Sequence, residues 1–359
     1  MPDILLHGAT GYTGRLTAAA LQRRNADFAI AGRDAVKLKA LAAETGSPEM
    51  RLVPSGDVDA LTEALRDVRA MITCVGPFAE LGATAVDAAL RARVHYIDSA
   101  GEGEFIKRLI TDHDERAREA GITLAPALGF DEVPGDVAVT LAAEGFDEPT
   151  IDVTYALPRE GSAGTIRSSL TNILPSKATW LEDGNRREVG AGEETRWAPM
   201  PPPLGPKPGR SFPLALGVLA PRHIDARTFR TYVAAGPVEG AAMRYGVPML
   251  RRALTSPMRN LIEKGLDRLP EGPEGEDRNG KWTILAEATS ATGEWRNVTL
   301  TGADVYGLTA ETLSSAALRM ARPEYEGRGV VSPVEALGLE RALDELKRWG
   351  VAIQAYAPV

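Results

Sequence analysis

Residues 8–16, GATGYTGRL, follow the short apolar run Ile4-Leu5-Leu6 and place glycines at Gly8, Gly11 and Gly14. The spacing, G-x-x-G-x-x-G, is a variant of G-x-G-x-x-G and stands where a strand should give way to a helix. Alone it is a weak signal, because a tight strand-to-helix turn also favours glycine. Its position at the head of an alternating strand–helix unit strengthens it. Backbone free of side chains lets a pyrophosphate approach N–H groups at the positive end of the helix. On this reading Gly8, Thr10, Gly11, Tyr12, Thr13 and Gly14 hold a dinucleotide.

Short apolar strand patterns recur at 4–7, 28–31, 51–54, 70–75, 95–98 and 122–125. Helical periodicity fills the intervals, at 12–24, up to Gly46, at 58–65, at 80–93 and through EFIKRLITDHDERAREAG. Such alternation predicts an α/β fold, a Rossmann-type doubly wound parallel sheet with right-handed crossovers. Ligands of these sheets lie beyond the carboxyl ends of the strands. Those ends carry Gly32-Arg33, Ser55 to Asp57, Val75-Gly76-Pro77-Phe78, Ser99 to Gly103 and Gly129 to Val133, nearly all with glycine or a polar group.

The end of the second strand selects between cofactors. An acidic residue there would bind a ribose 2′-hydroxyl, whereas a basic one accommodates a 2′-phosphate. This chain has Arg33 at that point and Lys37 one turn on, with Asp34 better suited to capping the following helix. The expected cofactor is NADP(H). Its further contacts would be Ser55, Asp57, Val75, Gly76, Pro77, Phe78, Ser99 and Gly101.

The 359 residues exceed one typical domain. A net charge of −8, from 41 Lys plus Arg against 49 Asp plus Glu, argues against nucleic acid or an anionic membrane as partner for the surface as a whole. The single cysteine, Cys74, excludes an internal disulfide and lies in an apolar run that reads as core. No secretory leader and no run long enough to span a membrane is seen, so the expected location is cytoplasmic. His7, His95, His113 and His223 are scattered, and no metal site is expected. The G-x-S-x-G elbow of serine hydrolases is absent.

After Ile151 the texture changes. IDVTYALP alternates like a half-buried strand, and GTIRSSLTNIL follows a glycine-rich turn. The proline cluster WAPMPPPLGPKPGRSFP reads as a loop or extended excursion. Residues 242–269 read as helix interrupted by Pro248 and Pro257, and KWTILAEATSATGEWRNVTLTG as a hairpin turning at 291–293. Three domains are expected: 1–145, binding NADP; 146–307, an α+β substrate and dimerisation domain; and 308–359, helices returning to the first domain. Trp180, Trp197, Phe212, Met243, Tyr245, Met249 and Met258 would line an acyl tunnel or form an ordinary core or dimer interface.

GATGYTGRL, AGRDAVKL, CVGPFAELG, VHYIDSAGE and ALGFDEVPGD, with GSAGTIRSSL and GRGVVSPVEALG further on, resemble the saccharopine-dehydrogenase-like oxidoreductases. Within that group the chain is most similar in look to the bacterial trans-acting enoyl reductases. The resemblance implies an NADPH-dependent reductase of an unsaturated acyl thioester or lipid-like substrate, with hydride sent to the β-carbon and a proton to the α-carbon. Reduction of an imine formed from an amino acid or amine is the alternative within this fold, and a non-catalytic NADP-binding sensor the alternative outside enzymes. The cofactor carries the hydride chemistry, leaving the protein one proton to supply. Candidate donors are Tyr12, Asp98, Glu102 and Asp131, each of which could instead serve a loop or cap. Phe130, Ser162, Thr165 and Ser168 are candidate substrate contacts. The partners expected are a small-molecule or acyl-thioester substrate, an acyl carrier and a second copy of the chain.

Overall fold

The computed structural model describes residues 2–158, 161–273 and 275–357. Two compact units share the chain. One comprises Met1–Ala100, Glu104–Val133 and Val305–Glu345, the other Gly101–Gly103, Pro134–Asp304 and Leu346–Val359.

In the first unit β1 (Ile4–His7), β2 (Phe28–Gly32), β3 (Glu49–Leu52), β4 (Ala70–Thr73), β5 (His95–Asp98) and β6 (Thr123–Ala125) stand in the order 3-2-1-4-5-6. All pair in parallel. The strand order reverses between β1 and β4, where doubly wound sheets bind their ligands. Every residue of β1, β2 and β4 is buried, which is why these strands read as unbroken apolar runs. Edge strand β3 is mostly exposed. The intervening helices include α1 (Tyr12–Arg23), α2 (Ala35–Glu44), α3 (Val58–Ala64) and α4 (Phe78–Ala92). Asp34 caps α2 as expected, accepting from the Val36 and Lys37 N–H groups at 3.0 and 3.1 Å.

Two features departed from the pattern. The helix over 103–120 passes through a π turn at Leu109–His113. A two-residue strand, Gly329–Val330, extends the sheet beyond β6; it is too short to carry any periodicity. The Val305–Met320 helix packs along α1. Arg24 ties this return together, donating to Glu311 at 2.6 Å and Glu345 at 2.5 Å, while Ser315 donates to Glu345 at 3.0 Å.

The second unit is built on a nine-stranded mixed sheet. Its strands are β7 (Thr150–Ala156), β8 (Lys177–Glu182), β9 (Asn185–Gly190), β10 (Thr195–Ala198), β11 (Lys207–Ser211), β12 (Thr228–Ala234), β13 (Trp282–Thr289) and β14 (Trp295–Gly302). Counting Gly329–Val330 as β15, the last member is β16 (Ala352–Tyr356), paired with β14. Only β7 and β12 run parallel here; the other pairs are antiparallel. The hairpin turns at 290–294, closed by Ser290 N–H on the Glu294 carbonyl at 2.8 Å.

Several boundaries moved. The helix Glu132–Ala143 leaves the first unit at Pro134, earlier than the 145 read from the sequence. The C-terminal segment is not purely helical, because β16 completes the second sheet. The proline cluster is not all loop: its flanks pair as β10 and β11, with Pro208 opposite Trp197. Pro248 does not break its helix. It directly follows the π turn Ala242–Gly246, where the hydrogen-bond pattern of the helix already changes, so the interruption comes only around Pro257.

Candidate cofactor and proton-transfer site

The three loop glycines do different work. Gly8 has φ +76°, and a Cβ there would come within 2.6 Å of Val75 Cγ2 and 3.2 Å of the Cys74 carbonyl carbon. The loops after β1 and β4 thus abut at the reversal point. A Cβ on Gly14 would strike the Gly8 carbonyl and approach the Ala9 oxygen at 2.7 Å, so Gly14 serves the turn itself. Gly11 meets nothing nearer than the Gly8 oxygen at 3.5 Å. It is exposed and begins α1 without a side-chain cap and without an acidic residue in the first turn. That leaves an open, positively polarised helix end, the feature a pyrophosphate needs. Arg15 braces the loop by donating to the Thr10 carbonyl at 3.0 Å.

Tyr12 rests edge-on against Tyr306, with ring centroids 5.0 Å apart. Tyr306 was not legible as a partner, since it arrives from the far end of the chain. At the ends of β2 and β3, exposed Arg33 donates to Ser55 Oγ at 3.4 Å, and Lys37 is exposed in the first turn of α2. Asp57 is engaged elsewhere: its carboxylate caps α3, accepting from Ala60 N–H at 2.9 Å. After β4, Gly76 is exposed and Val75 and Pro77 are half-buried. Phe78 is a correction. Its ring is buried and packs on Phe105 at 5.9 Å, so it serves the core and not a ligand.

Asp98 is a second correction. It is completely buried and accepts from the Tyr96 hydroxyl at 2.5 Å, Ala100 N–H at 2.8 Å and Ala127 N–H at 2.9 Å. Its carboxylate ties the ends of β5 and β6 together, and no face is left for a substrate. Asp131 differs. It is half-buried, it accepts from Glu132 N–H at 3.2 Å, and burial pushes its carboxyl above the usual range. The surrounding loop is held by the Val305–Met320 helix, with Phe130 N–H donating to Thr309 at 3.0 Å and Thr312 donating to the Leu128 carbonyl at 2.7 Å. Ser99 is half-buried beside Gly129. Cys74 is a core thiol, pushed by burial to about 12.

In the second unit Glu102 is buried and accepts from Ser168 Oγ at 2.7 Å. Ser162 caps the short helix Ala163–Ser168, accepting from Thr165 N–H at 3.1 Å with the two hydroxyls 3.0 Å apart. Gly101 is half-buried next to Glu102. The structure adds a pair the sequence reading missed: His223 Nε2 lies 2.7 Å from the buried Asp136 carboxylate. Asp136 was detectable as the lone acid inside the otherwise apolar VPGDVAVTLAA. Trp180 belongs to a core cluster with Ala178, Val189 and Tyr232, while Trp197, Tyr245, Met249 and Met258 are exposed. The expected tunnel lining is therefore not gathered in one place. Among the described residues no group of three or more His, Cys, Asp or Glu could hold a metal, and no helix is long and apolar enough to cross a membrane.

Comparison with known proteins agrees with this geometry. Residues 4–125 match the saccharopine dehydrogenase NADP binding domain family. The chain is 26% identical to a trans-acting enoyl reductase of Mycobacterium ulcerans, over 98% of this chain and 97% of that one. A lipid droplet localized protein of Caenorhabditis elegans is 28% identical over 40% of this chain and 37% of its own. The fold superimposes on apo saccharopine dehydrogenase (L-Glu forming) of Saccharomyces cerevisiae over the whole of both chains, with a TM-score of 0.65 at 15% identity. Gly11 at an uncapped helix end and Arg33 at the end of β2 fit the cofactor of that domain. Residues 4–125 thus match a saccharopine dehydrogenase NADP binding domain, and the chain carrying it is an NADP-dependent oxidoreductase.

Proposed function

We propose that this oxidoreductase reduces the double bond of an α,β-unsaturated acyl thioester or a closely related lipid. The observation that carries the reading is that likeness to trans-acting enoyl reductases runs over 98% of the chain, including the unit that does not match the NADP domain. Four of the second unit's arginines are already matched to carboxylates, which weakens the case for a dicarboxylic substrate at those positions. Arg196 pairs with Glu287, Arg230 with Asp152, Arg187 with Glu182 and Arg167 with Asp267.

NADPH, when bound, supplies a hydride. The chain's own task is to cradle, orient and protonate. Gly8, Thr10, Gly11, Tyr12, Thr13 and Gly14 would receive the pyrophosphate, and Arg33, with Lys37 and Ser55, the 2′-phosphate. Val75, Gly76, Pro77, Ser99 and Gly101 would border the nicotinamide end. Asp131 would hold the proton destined for the α-carbon, since burial keeps its carboxyl protonated to higher pH. Phe130, Ser162, Thr165 and Ser168 would contact substrate, with Glu102 positioning Ser168. We assign the activity to a cytoplasmic homodimer served by an acyl carrier.

The test is NADPH consumption with 2-enoyl thioesters of increasing chain length beside α-keto acids mixed with amino acids or polyamines. Turnover of the thioesters, improving with length, is expected. Turnover confined to the second panel would replace this reading with imine reduction, and silence in both with tight NADPH binding would favour a sensor.

A further inference from the structure

The second unit carries a helical stretch whose apolar side faces outward. The chain is helical from Pro237 through a π turn at Ala242–Gly246 to Leu254, then again over Arg259–Leu266. Val238, Tyr245, Met249, Met258 and Leu261 are 80%, 68%, 73%, 56% and 69% exposed. The first three share one face with Ala242 at helical spacing.

Contacts on the opposite side fix this orientation. Val247 and Leu266 are buried. A Cβ on Gly192 would come within 2.9 Å of Met243 Cβ, and one on Gly240 within 2.5 Å of Arg210 Nε. Arg244 donates to the Glu193 carbonyl at 3.2 Å and Arg251 to the Pro175 carbonyl at 2.9 Å. The inner side is thus seated on the rest of the unit, and the stripe looks away from it.

Charge identifies what the stripe would meet. Residues 237–269 hold six basic groups (Arg244, Arg251, Arg252, Arg259, Lys264, Arg268) against three acidic ones (Glu239, Glu263, Asp267), in a chain whose net charge is −8. Arg244 and Arg251 lie on the inner side and Arg259 is paired with Glu263 at 2.6 Å, whereas Arg252, Lys264 and Arg268 are exposed. Exposed Tyr, Met and Leu flanked by Arg and Lys, on helices lying flat, form the arrangement that sinks into a bilayer headgroup region. At 1.5 Å per residue the helical stretch from 237 to 254 is about 27 Å long.

We infer that Pro237–Leu266 is a peripheral docking surface for an anionic lipid bilayer. It seats its apolar stripe among the acyl chains and sets Arg252, Lys264 and Arg268 against the headgroup phosphates.

The test is co-sedimentation of the full chain with vesicles of phosphatidylcholine alone and of phosphatidylcholine mixed with phosphatidylglycerol, with no substrate present. Failure here is therefore separate from failure of the enoyl-reductase reading. Binding to the mixed vesicles is expected, falling as salt rises. Arg252→Gln, Lys264→Gln and Arg268→Gln should each weaken it about fivefold. Met249→Glu with Leu261→Glu should abolish it while the unfolding midpoint and NADPH affinity stay unchanged. Should that pair unfold the protein, Tyr245→Ser and Leu261→Ser provide the milder version. Absence of vesicle binding by the unaltered protein would overturn the inference, as would equal binding by the folded stripe variants. It would equally fail if Met249→Glu converted a dimer to a monomer, for the stripe would then be a self-interface.

Discussion

The two units use polar residues in opposite ways. In the parallel-sheet unit the strand middles are apolar except in edge strand β3, which carries Arg51, and glycine, Arg33, Ser55, Asp98 and Asp131 collect at the carboxyl ends. In the mixed-sheet unit charges lie across the strand middles: Asp152 accepts from Arg230 at 2.7 and 3.0 Å, and Arg196 donates to Glu287 at 2.5 Å. A sheet covered by helices on both faces has no room for charge except at its ends. A sheet with a half-exposed face can carry ion pairs along it. The candidate phosphate-binding residues therefore collect in the first unit, whereas these ion pairs in the second serve cohesion.

The sharpest way to break this comparison is at glycine. Gly14→Ala should destabilise the first unit by about 3 kcal/mol or more, because the new methyl meets backbone oxygens that cannot move aside. Gly11→Ala, with open space around it, should cost under about 1 kcal/mol yet still weaken NADPH binding. Urea unfolding followed by cofactor titration separates the two. Equal stability losses would mean that Gly11 is structural as well.

Acid should act mainly on the first unit. His7 and His95 are both lowered by burial to about 4, and His95 Nδ1 accepts from Thr123 N–H at 3.0 Å. The unfolded chain then binds protons that the native state refuses, so stability is full above pH 6.5 and lost as pH falls toward 4. The loss is on the order of 3 kcal/mol for each histidine. Denaturant midpoints measured across that window, with His7→Gln and His95→Gln, check it. A flat profile would contradict the buried neutral state.

Ion pairs in the second unit rank next. Arg230→Leu should cost about 1–3 kcal/mol by leaving Asp152, which is mostly buried, with only the more distant Arg196 at 3.5 Å. A double-mutant cycle with Asp152→Asn should recover part of that loss. No coupling would show that the sheet face holds together without the pair.

The smallest effect on stability belongs to the site itself. Arg33→Ala should leave the unfolding midpoint within about 0.5 kcal/mol, since the residue is exposed. NADPH affinity should nevertheless fall about 10–100-fold while NADH affinity barely changes. Equal losses for both cofactors would remove Arg33 from its assigned role.

The first unit was legible because its rules are local. Six apolar runs with glycine at their ends are enough to predict the parallel sheet, and the expected cap at Asp34 follows from neighbouring residues. What escaped came from distance along the chain. Tyr306 against Tyr12, Thr309 under Phe130 and Arg24 between Glu311 and Glu345 join residues about 180 to 320 positions apart. The candidate site was legible as a list of strand ends, but not as roles. Asp98 and Asp131 look alike in sequence, and only their surroundings make one a buried clamp and the other a half-buried carboxyl with raised pKa.

The sequence by itself determined the parallel sheet, the glycine turn and the basic residue at the end of β2, because each depends on periodicity or on steric demands within a few residues. Tertiary structure alone decided which carboxyl is raised above its usual range, which aromatic braces the glycine loop and which apolar helix face stays outside the core. Burial and hydrogen-bond partners are properties of a three-dimensional neighbourhood, and residues far apart in the chain supply that neighbourhood here.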